Sequence, residues 1–132
     1  LDDLFAEADI VSIHTAATAE TRHLVSAERL ALMKPGAVIV NTARGSVIDE
    51  AALIEALSSG KIRAGLDVYE QEPLAQDSPL LSMDNVVLMP HLGSATAATR
   101  QAMMERAYAN LVAGLEGKPL PWCANPEVYT TV

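Results

Sequence analysis

The feature that most constrains this chain is a set of four short apolar runs, rich in β-branched residues, that alternate with helix-patterned segments. The runs are 10–14 (IVSIH), 37–41 (AVIVN), 64–68 (AGLDV) and 86–89 (VVLM). Residues 37–41 show no alternation of apolar and polar positions, as expected of a strand buried on both faces. Leu1, Leu4, Phe5 and Ala8 recur at helical spacing. Ser26 is placed to cap a helix reaching Met33, and Lys34-Pro35-Gly36 to stop it. Asp49 is placed to cap a helix through Leu57, with Ala52, Leu53, Ala56 and Leu57 on one side and Gly60 as its stop. Ser94 is placed to cap a long helix over 95–116, whose apolar stripe is Met104, Ala107, Tyr108, Leu111, Val112 and Leu115. Gly117 ends that helix. Residues 15–25 and 69–85 read as loops and 118–132 as an irregular tail. Strands alternating with helices predict an α/β fold of parallel strands joined by helical crossovers.

Composition agrees with that class and narrows the function. Half of the 132 residues are hydrophobic and 20% are charged, enough to bury a core. Only 4% are aromatic, so Ala, Leu, Val and Ile must fill it. The net charge of −8 argues against general binding to nucleic acid or an anionic membrane, so neither is expected as a partner. No apolar run reaches membrane-spanning length. Cys123 is the only cysteine, which excludes an internal disulfide and fits a reducing, cytoplasmic location. The first residues, Leu1-Asp2-Asp3-Leu4, read as the inside of an element, so the chain is expected to begin part-way through a larger protein.

In parallel α/β sheets ligands bind at the carboxyl ends of the strands. His14 and Thr15 follow the first run, Thr42, Ala43, Arg44 and Gly45 the second. Asp67 to Glu72 end the third, and Pro90 to Ser94 follow the fourth. Arg44, at the edge of the sheet, could hold a carboxylate through two parallel hydrogen bonds. Taken alone it reads equally well as a surface arginine near a helix start. Glu72 and His91 are weak signals singly. Brought to one edge, a carboxylate and an imidazole make a proton donor usable near neutral pH. Asp67 lies in an apolar context and needs a partner, either a neighbouring loop or a cofactor amide. Gly93 and Ser94 open a helix whose backbone N–H groups favour anions or dipoles. His14 and His23 read as structural. No grouping has metal-ligand spacing, so no metal is expected.

Ser12-Ile13-His14-Thr15, Asn41-Thr42-Ala43-Arg44-Gly45, Gly65-Leu66-Asp67-Val68-Tyr69, Glu72-Pro73 and Pro90-His91-Leu92-Gly93-Ser94 together resemble the D-isomer-specific 2-hydroxyacid dehydrogenase family. Glu20-Thr21-Arg22-His23-Leu24 and Met33-Lys34-Pro35-Gly36 resemble it too. The resemblance runs from Leu1 to about Lys118, and the spacing of Arg44, Glu72 and His91 suits the glyoxylate/hydroxypyruvate reductase-like branch. It implies a partial Rossmann-type, doubly wound parallel sheet binding NAD or NADP over 1–117. Residues 118–132 would return to a separate substrate domain.

The resemblance also implies roles. Arg44 would bind the carboxylate and carbonyl of a small 2-oxo or 2-hydroxy acid. His91 would be the general acid and base, with Glu72 its partner. Asp67 would hold the nicotinamide carboxamide. Thr15, Thr42, Ala43, Arg44, His91, Gly93 and Ser94 would line the cofactor site. A homodimer is expected. The family's Gly-x-Gly-x-x-Gly phosphate loop and acidic ribose-binding residue are not in this sequence. They are expected upstream of Leu1, and the chain alone is expected to be inactive. The alternative is a cofactor-sensing interaction module of the corepressor kind, which shares the fold and the catalytic-looking trio.

Overall fold

The computed structural model describes residues 1–130. It divides into two compact units, Leu1–Gly93 and Ser94–Val132. The first holds helices α1 (Asp2–Glu7), α2 (Ala27–Leu32) and α3 (Glu50–Ser58), and strands β1 (Ile10–Ile13), β2 (Val38–Asn41), β3 (Arg63–Leu66) and β4 (Val86–Leu88). The strands form one sheet in the order β1-β2-β3-β4, and every pair is parallel. The four runs read from the sequence are these four strands. Their ends differ by one or two residues, because side-chain pattern does not see where ladder hydrogen bonding stops.

Register places Val11, Ile39, Ala64 and Val86 across one face, with Ile13, Asn41, Leu66 and Leu88 behind them. That face packs with Leu30 of α2, Met33 at its C-cap, and Leu53 and Leu57 of α3 into the core. Each fully buried Leu or Ile there contributes on the order of 1.5–3 kcal/mol of transfer free energy. The opposite face carries Ile10, Val38, Val40 and Val87. Ile10 and Val87 remain about two-thirds exposed, at 67% and 66%. The two-sided burial expected of the second run is therefore corrected: Val38 and Val40 are only partly buried. α1 packs on α2 and α2 on α3, in keeping with consecutive parallel strands whose crossovers share a hand.

The capping assignments divide. Asp49 caps α3, its carboxylate accepting the Ala52 N–H at 3.0 Å. Gly60 closes that helix at φ +72°. Ser26 stands at the N-cap of α2, but its side chain caps nothing there.

Between β3 and β4 the sequence predicts an unbroken loop. The structure has a 3₁₀ turn at Pro79–Ser82, which buries Leu80.

The second unit is built on helix α4 (Ala97–Leu115). Its N-cap is Thr96, whose hydroxyl accepts the Thr99 N–H at 3.2 Å. The assignment to Ser94 is corrected, since a cap must stand three residues before the amide it satisfies. Gly117 ends α4 at φ +68°, with Lys118 N–H donating to Ala113 and Gly117 N–H to Gly114. That paired closure is a Schellman motif.

The expected tail is not wholly irregular. Asn110 bonds both the N–H and the carbonyl of Trp122, Arg106 lies over the Trp122 ring, and Pro126–Tyr129 forms a 3₁₀ turn. Its last two positions, Thr131 and Val132, lie outside the described residues. The expected α4 stripe is not buried: Met104, Tyr108, Leu111 and Leu115 are all more than half exposed. Helical spacing shows that a stripe exists, not what covers it. No helix among the described residues is long and apolar enough to cross a membrane.

Candidate active site

The site lies in the first unit, at the carboxyl ends of the strands. β2 ends in Asn41, which is 1% exposed. A buried amide must be paired. Its Oδ1 accepts the Ala43 N–H at 3.0 Å and its Nδ2 donates to the Arg44 carbonyl at 3.0 Å. The turn carrying Thr42, Ala43 and Arg44 is thus clamped from inside. The Arg44 side chain is exposed and donates one bond, to the Ala43 carbonyl at 2.7 Å. That leaves most of its guanidinium donors available.

Gly45 follows, packed against the loop after β3. A Cβ there would meet the Tyr69 carbonyl carbon and oxygen at 1.9 Å each, and the Glu70 nitrogen at 2.4 Å. Backbone on both sides cannot yield as a side-chain tip can. Gly45→Ala should therefore destabilise by about 3 kcal/mol or more, the upper end for overpacking. Urea denaturation would check it, and a loss below about 1 kcal/mol would show that the two loops separate freely.

Beyond β3, Asp67 is 7% exposed. Its two oxygens accept the Leu92 N–H at 2.7 Å and the Gly93 N–H at 2.8 Å. The loop reading of Asp67 is realised, and a lone pair on each oxygen stays free. Tyr69 is buried beside it and donates to the Met89 carbonyl at 2.9 Å. Burial raises its phenol above the usual range. Tyr69 thereby joins the third and fourth strand ends. The sequence reading passed over it, as it did Asn41, although a tyrosine at a strand end in so aromatic-poor a chain was a usable signal.

Glu72 and His91 meet. His91 Nδ1 lies 2.6 Å from Glu72 Oε2, while Glu72 Oε1 accepts the Tyr69 N–H at 3.1 Å. The bond to His91 is the main cause that holds the Glu72 carboxyl below its usual range, against a smaller opposing effect of burial. The Tyr69 N–H and the positive charge of Arg44 act in the same direction. His91 itself sits at φ +55°, a left-handed conformation that histidine adopts more readily than most residues but that still carries strain. The peptide bond from Glu72 to Pro73 is cis. Nδ1 is engaged, so Nε2 is the ring atom left to give or take a proton.

Two cavities open at this edge. One, of about 590 Å³, is lined by His14, Thr15, Ala16, Ala17, Thr42, Ala43 and Arg44. The other, of about 630 Å³ and mostly apolar, has Glu72 and His91 in its wall with Leu81, Leu88 and Met89. The residues singled out in the first unit thus fall into groups. Thr15, Thr42, Ala43 and Arg44 share one cavity, Glu72 and His91 line the other, and Asp67 with Gly93 forms the turn after β4. Ser94 is exposed at the start of the second unit. His14 bonds Ser12 at 2.8 Å, and His23 pairs with Glu70.

Residues 1–93, the same span as the first compact unit, match the family model for the NAD-binding domain of D-isomer specific 2-hydroxyacid dehydrogenases. Glyoxylate/hydroxypyruvate reductase B of Salmonella newport is 55% identical over 128 residues, which are 96% of this chain and 40% of that protein. The TT0316 protein of Thermus thermophilus superposes with a TM-score of 0.85 at 50% identity, over 91% of this chain and 39% of its own. A D-isomer specific 2-hydroxyacid dehydrogenase of Xanthobacter autotrophicus Py2 gives 0.82 at 45% identity, over 91% and 40%. A D-isomer specific 2-hydroxyacid dehydrogenase of the same organism has been solved with NADPH and MES. The chain thus spans about two-fifths of the length of these relatives.

Proposed function

Because the chain belongs to the D-isomer specific 2-hydroxyacid dehydrogenase family, we propose that it is the cofactor-and-catalysis part of a longer enzyme acting on a small D-2-hydroxy acid and its 2-oxo counterpart. The observation that carries this reading is the 2.6 Å contact of His91 Nδ1 with Glu72 at the carboxyl edge of a parallel sheet. A polarised imidazole with its second nitrogen free is what carbonyl reduction needs as a proton donor.

The cavity of Thr15, Thr42, Ala43 and Arg44 fits a nicotinamide cofactor. It lies where parallel sheets bind dinucleotides, and Ala16, Ala17 and Ala43 leave room for close approach. Thr15, Thr42 and Ala43 would border the cofactor, with Gly93 and His91 completing the site. Asp67 would accept from the carboxamide with a lone pair its backbone donors leave free. The hydride chemistry comes from the cofactor when it is bound.

The chain's own residues do the rest. Arg44 holds the substrate carboxylate and faces the oxygen on which charge develops. Protonated His91 delivers a proton from Nε2 to that oxygen in reduction. In oxidation the neutral ring removes it from the hydroxyl. Glu72, held ionised by its bonds, orients the ring and balances the charge it carries. Glyoxylate and hydroxypyruvate are the substrates we propose, with NAD or NADP, in a cytoplasmic homodimer. The full-length protein should oxidise NADH or NADPH when given either 2-oxo acid, followed by nicotinamide absorbance. Absence of turnover with every small 2-oxo acid would overturn the reading.

A further inference from the structure

Away from both cavities, three loops meet at one charged cluster. His23 Nε2 is bonded to Glu70 Oε1, Arg22 stands 3.9 Å from the same oxygen, and Asp49 stands 3.9 Å from His23 Nδ1. Glu50 accepts the Glu70 N–H at 2.9 Å. Each partner belongs to a different stretch of the site's scaffold. Backbone of 23–25 is stitched to the stretch that follows Arg44: His23 N–H donates to Ser46 at 2.9 Å, Val25 N–H to Val47 at 3.0 Å, and Asp49 N–H back to Val25 at 3.0 Å. Glu70 lies between Tyr69 and Glu72, and its peptide packs on Gly45.

His23 also adopts φ +50°. A β-carbon-bearing residue in that region is held there by its surroundings at a cost of order 1–3 kcal/mol. A partly exposed ion pair contributes little to stability, typically about 0–1 kcal/mol. The arrangement therefore makes little sense as a stabiliser and good sense as a spacer. It sets the distance between the loop bearing Arg44 and the loop bearing Glu72.

We propose that His23 and Glu70 are positioning residues, a latch that holds the Arg44 turn in register with the Glu72–His91 pair. Neither lines either site cavity, so the latch acts through the loops and not by contact with substrate. This rests on the function proposed above, in which Arg44 grips the substrate while His91 protonates it. Reacting groups carried on separate loops lose rate steeply when their spacing drifts.

The test uses the full-length protein. Glu70→Ala removes one partner. His23→Asn removes the other while keeping a residue that tolerates the left-handed backbone and has no atom where Nε2 stands. Each should lower kcat/KM for glyoxylate roughly tenfold, because the drift separates Arg44 from His91. The double variant should be no worse than the poorer single within about twofold, as for two halves of one contact. Glu70→Gln keeps an acceptor at the same reach and should fall between wild type and Glu70→Ala. Amide hydrogen exchange at 44–47 and 69–72 should quicken in both single variants while β2 and β3 stay protected. Unchanged kcat/KM in folded Glu70→Ala, or losses that multiply in the double variant, would overturn the latch. If the wild-type protein turns over no 2-oxo acid, the function falls separately. Exchange then decides the latch alone: faster loops uphold it, and unchanged loops overturn it.

Discussion

Replacing His91 by alanine in the full-length protein is expected to cut kcat/KM by about 10²–10⁴-fold at every pH, the usual worth of a general acid–base. The reason is geometric. Nδ1 is committed to Glu72 at 2.6 Å, which leaves Nε2 as the ring atom that would carry the proton. Alanine leaves no group there to protonate the carbonyl oxygen. Glu72→Gln separates charge from shape: the amide fills the same space but no longer compensates an imidazolium. Reduction should then slow, because an imidazolium at His91 loses the carboxylate that balances its charge. Steady-state rates of reduction check this. An unchanged kcat/KM in Glu72→Gln would take Glu72 out of the mechanism, and near-normal rates in His91→Ala would remove the mechanism itself.

The second large effect is expected at Arg44. Arg44→Lys keeps the charge but loses the planar fork that pairs with a carboxylate. The loss of transition-state stabilisation should be roughly 2–4 kcal/mol, about 30- to 1000-fold in kcat/KM. The structure supports a role toward substrate in one respect: Arg44 is exposed at the rim of a cavity, and its side chain's one hydrogen bond among the described residues goes to its neighbour's carbonyl. A kinetic change below about threefold would return Arg44 to the surface arginine that its sequence context alone equally allowed.

What could be read without coordinates was whatever is local and periodic. Backbone hydrogen bonding and the burial of β-branched runs made 10–14, 37–41, 64–68 and 86–89 legible as strands. Their spacing by helical segments left parallel pairing as the natural solution. Asp49 and Gly60 were legible because a cap acts within one helical turn. The meeting of Glu72 with His91 was anticipated because both follow strands of one parallel sheet, whose carboxyl ends share an edge.

Other features were settled only by the chain's path in three dimensions. Asp67 offered itself equally to a loop or a cofactor. The return of Leu92 and Gly93 after β4 is what supplied its two backbone donors. His23 and Glu70 are 47 residues apart, and nothing in either neighbourhood names the other. Their pairing follows from 23–25 being drawn alongside 46–49, a non-local ladder that leaves no periodic trace. The open face of the sheet and the exposed stripe of α4 make the same point from the opposite side. Apolar patterning says that a surface is fit for burial, but what buries it depends on which parts of a chain fold against it. By itself the sequence determined the strands, the helices and the edge at which chemistry gathers. Tertiary structure decided which side chains there actually touch, because contact energy depends on distance in space and sequence separation does not report it.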